Sequence, residues 1–118
     1  MILSKVHYLL GNHELMNFNN DFRYVHQKCF NIKAANKKYI ASFNHSSVLG
    51  NWIRAKNTIE KIGDYLFVHG GISKQLMQQY FSIQEINDLV LKNLGKKDNN
   101  NLNDRENLLF GNYGPLWF

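Results

Sequence analysis

Apolar and polar positions follow one another in short runs along the chain, a pattern that predicts several small helices and strands. Val6–Leu10 is mostly apolar and ends at a Gly-Asn turn, which predicts a buried strand. Between residues 13 and 30 apolar side chains recur with loose helical spacing, interrupted at 19–21, so we expect a short helix, a turn and a second short helix. Residues 31–48 are predicted to contain a further helix.

A connection is predicted over residues 50–56, and the clearest β signal follows it. Thr58–Ile62 and Tyr65–His69 are rich in β-forming residues and flank Gly63-Asp64, a dipeptide typical of tight hairpin turns. The sequence therefore predicts an antiparallel hairpin at this place. The large apolar side chains of this region are assigned to the core or scaffold: Trp52, Tyr65, Phe67 and Ile72.

Two helix starts are visible in the second half of the chain. Ser73 is predicted to cap a short helix that runs to Tyr80. The run Ser82–Glu85 has the form of a capping box, and the apolar stripe after it predicts an amphipathic helix that ends at Gly95. Residues 96–103 (KKDNNNLN) are predicted to form an exposed polar loop.

Composition narrows the class of protein. A chain of 118 residues that is 44% hydrophobic suits one small globular domain, here 1–118. The net charge of +5 comes from scattered lysines and arginines without a nucleic-acid-binding motif, so no nucleic-acid partner is expected. No apolar run is long enough to cross a membrane, and no membrane partner is expected. The single cysteine, Cys29, and the lack of a signal-peptide pattern predict a cytoplasmic location.

Two glycine turns bear the candidate chemistry. The first, Gly11-Asn12-His13-Glu14, follows the predicted first strand and offers an amide oxygen that can bind a divalent metal and an imidazole that can act as an acid. Glu14 is interpreted as a residue that holds the turn or the helix start. The second turn places His69 at the end of a predicted strand, where a neutral imidazole can bind zinc, iron or manganese. Each turn by itself is also compatible with an ordinary surface turn.

Together these two turns resemble the sequence motifs of a known family. LLGNHE (9–14) is similar to the GNHE motif, and FVHGGIS (67–73) to the HGG motif, of the calcineurin-like metallophosphoesterases. Within them the chain is most similar to the phosphoprotein-phosphatase branch and to the Shewanella-like protein phosphatases, since the flanks GNHELMNFNNDFRYVHQKCF, LGNWIRAKNTIEKIGDYLFVHGGIS and GPLWF also match in order and spacing. The resemblance covers residues 5–118.

The resemblance implies a fold and a set of roles. The fold is α/β, part of a layered αββα sandwich of four layers. Asn12 and His69 are implied ligands of the second of two divalent metals (manganese, iron or zinc), and His13 is the implied proton donor to the leaving oxygen. The implied reaction is hydrolysis of a phosphoester by metal-activated water, on phosphoserine, phosphothreonine or phosphotyrosine proteins or small phosphoesters.

The same comparison predicts an incomplete site. The family's GDxHG and GDxxDRG blocks and its last metal-binding histidine have no counterpart here, so this chain supplies ligands to only one metal. We therefore expect a central portion of the domain that is inactive in isolation. Arg54 and Arg23 are candidates for a phosphate contact, with an exposed or ion-paired structural arginine as the alternative. The alternative functions are a non-catalytic binding or structural remnant and a nucleotide-polyphosphate hydrolase of the same superfamily.

Overall fold

The computed structural model describes residues 6–29, 33–96 and 101–118, and the side chains of residues 37–41 within the second helix. Its helices and strands are short. In chain order they are α1 (Asn12–Phe18), α2 (Lys33–Ala41), α3 (Val48–Arg54), β1 (Ile59–Ile62), β2 (Tyr65–Val68), α4 (Lys74–Met77), α5 (Ile83–Asn93) and α6 (Asp104–Asn107), with 3-10 turns at Gln27–Cys29 and Leu108–Phe110.

The segment before α1 is extended, but the prediction of a buried strand over Val6–Leu10 is wrong. Leu9 forms a single parallel bridge with Asn57, and the Leu10 amide donates to the Asn57 carbonyl at 2.9 Å. Leu10 is buried, whereas Val6 is 88% exposed. A regular strand needs a ladder of backbone hydrogen bonds with a neighbouring strand. Within the described residues this segment forms only the single bridge to Asn57.

The predicted hairpin is confirmed. β1 and β2 pair antiparallel, with Ile59 opposite Val68 and Ile62 opposite Tyr65. Gly63 has a φ of +60°, the left-handed conformation that glycine adopts without steric cost. β2 ends at Val68, so His69 lies directly after the strand and not within it.

Three aromatic side chains that the sequence assigned to the core or scaffold lie outside the core. Tyr65 is 74% exposed, and Phe67 and Trp52 are close to half exposed. Ile72, by contrast, packs against the core as expected. For Tyr65 and Phe67, which lie on β2, the physical reason is the size of the sheet: two strands leave one face without a covering layer among the described residues, and β-forming residues alone do not reveal this.

The helical predictions before the hairpin were confirmed in part. α1 and the turn after it are present, and Asn20 adopts a φ of 57° there. The second helix predicted before residue 30 is only a 3-10 turn. The predicted connection over 50–56 is wrong, because α3 occupies most of it. Ser47 starts α3 by accepting a hydrogen bond from the Gly50 amide at 2.8 Å, and this cap outweighs the helix-breaking tendency of Gly50.

The helices after the hairpin begin where the sequence predicts. Ser73 caps α4 through the Leu76 amide, although α4 itself ends at Met77. The capping box of α5 is formed, since the Ser82 hydroxyl accepts from the Glu85 amide and the Glu85 carboxylate from the Ser82 amide. Gly95 follows α5 with a φ of +80°. Residues 97–100 of the predicted polar loop lie outside the described residues.

One core joins the helices to the hairpin. α5 packs on β1, and its Asn87 side chain binds the Thr58 and Ile59 amides at 2.8 and 3.0 Å and the Ile59 carbonyl at 2.9 Å. None of the described helices is long and apolar enough to cross a membrane. The buried members of this core are Leu10, Leu15, Phe18, Ile53, Ile59, Leu76, Ile86, Val90, Leu94, Leu109 and Leu116.

Candidate active site

The two glycine turns meet. The amide oxygen Oδ1 of Asn12 lies 3.2 Å from Nε2 of His69. Gly11 makes this approach possible, because a Cβ at position 11 would stand 2.9 Å from the His69 ring. The second turn is fixed from its other side, where the Gly70 amide donates to the Pro115 carbonyl at 2.9 Å. The structure therefore brings together two of the side chains that the sequence singled out.

The distance between these two atoms fits a shared metal ion. Ligand atoms that each lie about 2.1 Å from a metal are separated by about 3.0 to 3.4 Å at octahedral or tetrahedral angles. The observed 3.2 Å falls in that interval, and it is also the length of a hydrogen bond between the two side chains. Two ligands are too few for a metal site, since such sites use three or four protein ligands. The described residues contain no cluster of three or more His, Cys, Asp or Glu side chains able to hold a metal. The pair fits as one part of a metal site.

Glu14 holds the first turn, as the sequence predicted. Its carboxylate accepts a hydrogen bond from the Gly11 amide at 2.8 Å and another from the Tyr8 hydroxyl at 2.8 Å. Burial, and after it the neighbouring Glu14 carboxylate, raises the pKa of Tyr8 to about 12. Both oxygens of Glu14 are thus engaged behind the turn, which keeps Asn12 at the position from which it reaches His69.

His13 faces solvent beside this pair. Together with Asn12 and His69 it lines an open concavity of about 440 Å³. Its ring is parallel to that of Tyr24, with 5.6 Å between the ring centroids, within the range of offset stacking. Sequence reasoning did not find Tyr24 or Tyr8, because neither belongs to a local motif and both reach the site only through folding.

The two arginines considered for a phosphate contact have structural partners. Arg54 does not line the concavity; its guanidinium donates to the Leu94 carbonyl at 2.9 Å and lies over the Phe18 ring, 4.1 Å from the centroid. Burial lowers the pKa of Arg54. Arg23 binds the Asp21 carboxylate at 2.7 Å. The structure therefore gives Arg54 the role of joining α3 to the end of α5.

Comparison with known proteins assigns the chain to a family. Residues 1–117 match the calcineurin-like phosphoesterases. The uncharacterised protein C1840.07c of Schizosaccharomyces pombe is 26% identical over 116 residues, which are 93% of this chain and 34% of that protein.

Solved structures agree with this assignment. The crystal structure of the cold-active protein-tyrosine phosphatase of a psychrophile Shewanella sp. superposes with a TM-score of 0.87 and 35% identity, over 98% of this chain and 35% of that one. A point mutant of a cold-active protein tyrosine phosphatase gives the same values. The chain spans about a third of the length of these relatives, and the four layers predicted for the whole sandwich are not all present in the described residues. The chain belongs to the calcineurin-like phosphoesterase family, as the motifs indicated, and its helices and hairpin form part of an α/β metallophosphoesterase fold.

Proposed function

We propose that this chain contributes Asn12, His13 and His69 to the catalytic centre of a phosphoprotein phosphatase, as the central portion of its domain. The observation that supports this most directly is the 3.2 Å between the Asn12 and His69 ligand atoms, brought together from two distant turns. Family membership supports phosphoester hydrolysis, and the names of the structural relatives favour phosphotyrosine over phosphoserine or phosphothreonine.

Each residue has a defined part in this proposal. Asn12 and His69 bind one of two divalent ions (manganese, iron or zinc), and the remaining ligands come from outside this chain's described residues. When bound, the ions activate water and neutralise charge on the phosphoryl group. Glu14 orients the turn through the Gly11 amide.

His13 supplies the proton that the leaving group needs. Hydrolysis joins a water oxygen to phosphorus and breaks the bond between phosphorus and the ester oxygen, whose electron pair stays on that oxygen. The His13 ring proton neutralises it, and the proton lost by water returns to His13 through solvent. Its exposed position beside Asn12 and His69 suits this exchange.

The test is a manganese titration of the purified chain by calorimetry, with turnover of 4-nitrophenyl phosphate measured in parallel. We expect weak binding that His69→Ala weakens by at least about 10-fold, because one of two ligands is lost. His45→Ala, at an exposed histidine far along the chain, is the matched control and should bind like the native chain.

Equal manganese affinity in the native chain and in His69→Ala would contradict the proposal, because it would remove His69 from the metal site. Turnover by the chain alone, dependent on His13 and His69, would support their catalytic roles but overturn the expected inactivity in isolation, and it would indicate that a second copy supplies the missing ligands.

A further inference from the structure

A second cavity adjoins His13. It has a volume of about 250 Å³ and lies against α1 and the segment that follows it. His13 lines both this cavity and the concavity that contains Asn12 and His69, whereas those two residues line only the latter. His13 is therefore the residue that lines both the cavity and the concavity.

The wall of this cavity combines aromatic and apolar side chains with polar ones, among them Asn17 and His26. Tyr24 stacks parallel to His13, and Tyr39, Met16 and Val25 supply further apolar surface. The Tyr39 hydroxyl donates to Asn17 Oδ1 at 3.0 Å, so that polar group is already engaged within the wall. A side chain that enters the cavity would therefore meet ring faces and a thioether beside polar groups.

The carboxylate on the wall is already paired. Asp21 lines the cavity, Arg23 binds its carboxylate at 2.7 Å, and this hydrogen bonding holds the pKa of the Asp21 carboxyl below its ordinary value. Because the Arg23 guanidinium is engaged, the pair offers a phosphate no free cation, whereas an uncharged ring needs none. The cavity consequently suits the neutral part of a phosphoester.

We propose that this cavity receives the leaving group of the substrate and that Tyr24 gives it a preference for an aromatic one. The inference rests on the proposed function in one respect: His13 must face the leaving oxygen, so the rest of the leaving group extends from His13. With the phosphoryl group beside Asn12 and His69, the second cavity bordered by His13 is open to that group. Tyr24 is thereby a specificity-determining residue.

The experiment uses p-cresol, the side chain of tyrosine as a free molecule, and contains neither metal nor phosphate. Its binding to the chain is followed by NMR and compared with that of 4-methylcyclohexanol, which has similar size but no aromatic ring. We expect p-cresol to shift the ring signals of His13 and Tyr24 and to bind about 2- to 12-fold more tightly than the saturated alcohol, the range expected for aromatic stacking.

Variants at position 24 decide whether the ring is responsible. In Tyr24→Leu the preference for p-cresol should shrink to the part that the His13 and Tyr39 rings supply, and in Tyr24→Phe it should remain. Tyr65→Leu, which removes a tyrosine of similar exposure on β2, is the control and should behave like the native chain. Tyr24 is 66% exposed, so these variants should fold. If Tyr24→Leu does not fold, intermolecular NOEs between p-cresol and the Tyr24 ring of the native chain decide the question.

An unchanged preference in Tyr24→Leu, or NOEs from p-cresol only to other parts of the chain, would overturn the proposal. The leaving-group proposal can fail while the proposed function holds, because the manganese titration of His69→Ala does not involve Tyr24. A chain that binds manganese through His69 and shows no preference for p-cresol retains the proposed function and loses only this subsite.

Discussion

Asn12 Oδ1 and His69 Nε2 lie 3.2 Å apart, although 57 positions separate them in the chain. The contact depends on the Leu10 amide, which ties the first turn to Asn57, and on the hairpin that begins two residues later. Each turn is thus attached to the same sheet, so backbone hydrogen bonds, together with the Glu14 side chain behind the first turn, hold Asn12 and His69 close to each other.

Gly11→Ala should separate this pair. The new Cβ would stand 2.9 Å from the His69 ring, which is too close. Alanine also adopts the backbone conformation of Gly11 (φ −122°, ψ −176°), so the clash is relieved by a movement of the His69 side chain and not of the backbone. His69 is exposed, so we expect a loss of about 1 kcal/mol or less in unfolding free energy and a clear loss of manganese affinity. Calorimetry and urea unfolding measure the two effects.

Gly111→Ala is the matched control for that substitution, since a Cβ at position 111 would come no closer than 3.8 Å to its nearest neighbour, an ordinary van der Waals contact. It should leave both quantities unchanged. Undiminished manganese binding in Gly11→Ala would show that the close approach of Gly11 to His69 is not needed for the metal site.

Asn87→Ala should destabilise the whole chain. The Asn87 side chain is 4% exposed and forms three hydrogen bonds with the backbone at the start of β1. Removing it leaves two amides and a carbonyl buried without partners, at about 1 to 3 kcal/mol for each. We expect at least about 3 kcal/mol lost in urea unfolding. Asn51→Ala on the exposed face of α3 should change the unfolding free energy by about 0.5 kcal/mol or less, and an equal effect of the two would refute this role of Asn87.

Thr58→Val should leave stability unchanged or raise it. Thr58 is completely buried, and within the described part of the chain its hydroxyl oxygen has no hydrogen-bond partner. Valine has nearly the same shape and removes an orphan polar group whose burial costs about 1 to 3 kcal/mol. Thr58→Ala, which removes the methyl group as well, should be less stable than Thr58→Val in the same thermal unfolding experiment. A Val variant that melts well below the native chain would indicate a partner for this hydroxyl.

Tyr8 should make stability fall at high pH. Burial and the Glu14 carboxylate raise its pKa in the folded chain from 10.0 to about 12. A raised pKa means that the unfolded chain loses this proton first, so the contribution of Tyr8 is complete below pH 10 and is lost as the pH rises towards 12. The difference in urea unfolding between the native chain and Tyr8→Phe should therefore shrink between pH 9 and 11.5.

The control for this titration is Tyr65→Phe, at an exposed position on β2. The difference in unfolding free energy between Tyr65→Phe and the native chain should not shrink between pH 9 and 11.5. A Tyr8→Phe difference that stays constant from pH 9 to 11.5 would contradict the raised pKa of Tyr8.

Features that depend on neighbouring residues were predictable. The hairpin turn at Gly63 and the caps at Ser73 and Ser82 each use hydrogen bonds or dihedral angles within four positions, which the sequence displays directly. The role of Glu14 followed in the same way, because it lies three residues after Gly11. The Ser47 cap of α3 is equally local, but the start of this helix was not predicted.

The sequence by itself determined these turns and caps and, through its two motifs, the family to which the chain belongs. Only the tertiary structure decided that Tyr24 stacks on His13, that Arg54 joins α3 to α5 and that Tyr65 and Phe67 remain exposed. The physical reason is the separation along the chain between the groups that interact. A cap or a turn is stabilised by groups a few bonds away along the backbone, whereas burial and stacking depend on which distant segments cover a surface, and composition or periodicity does not specify that.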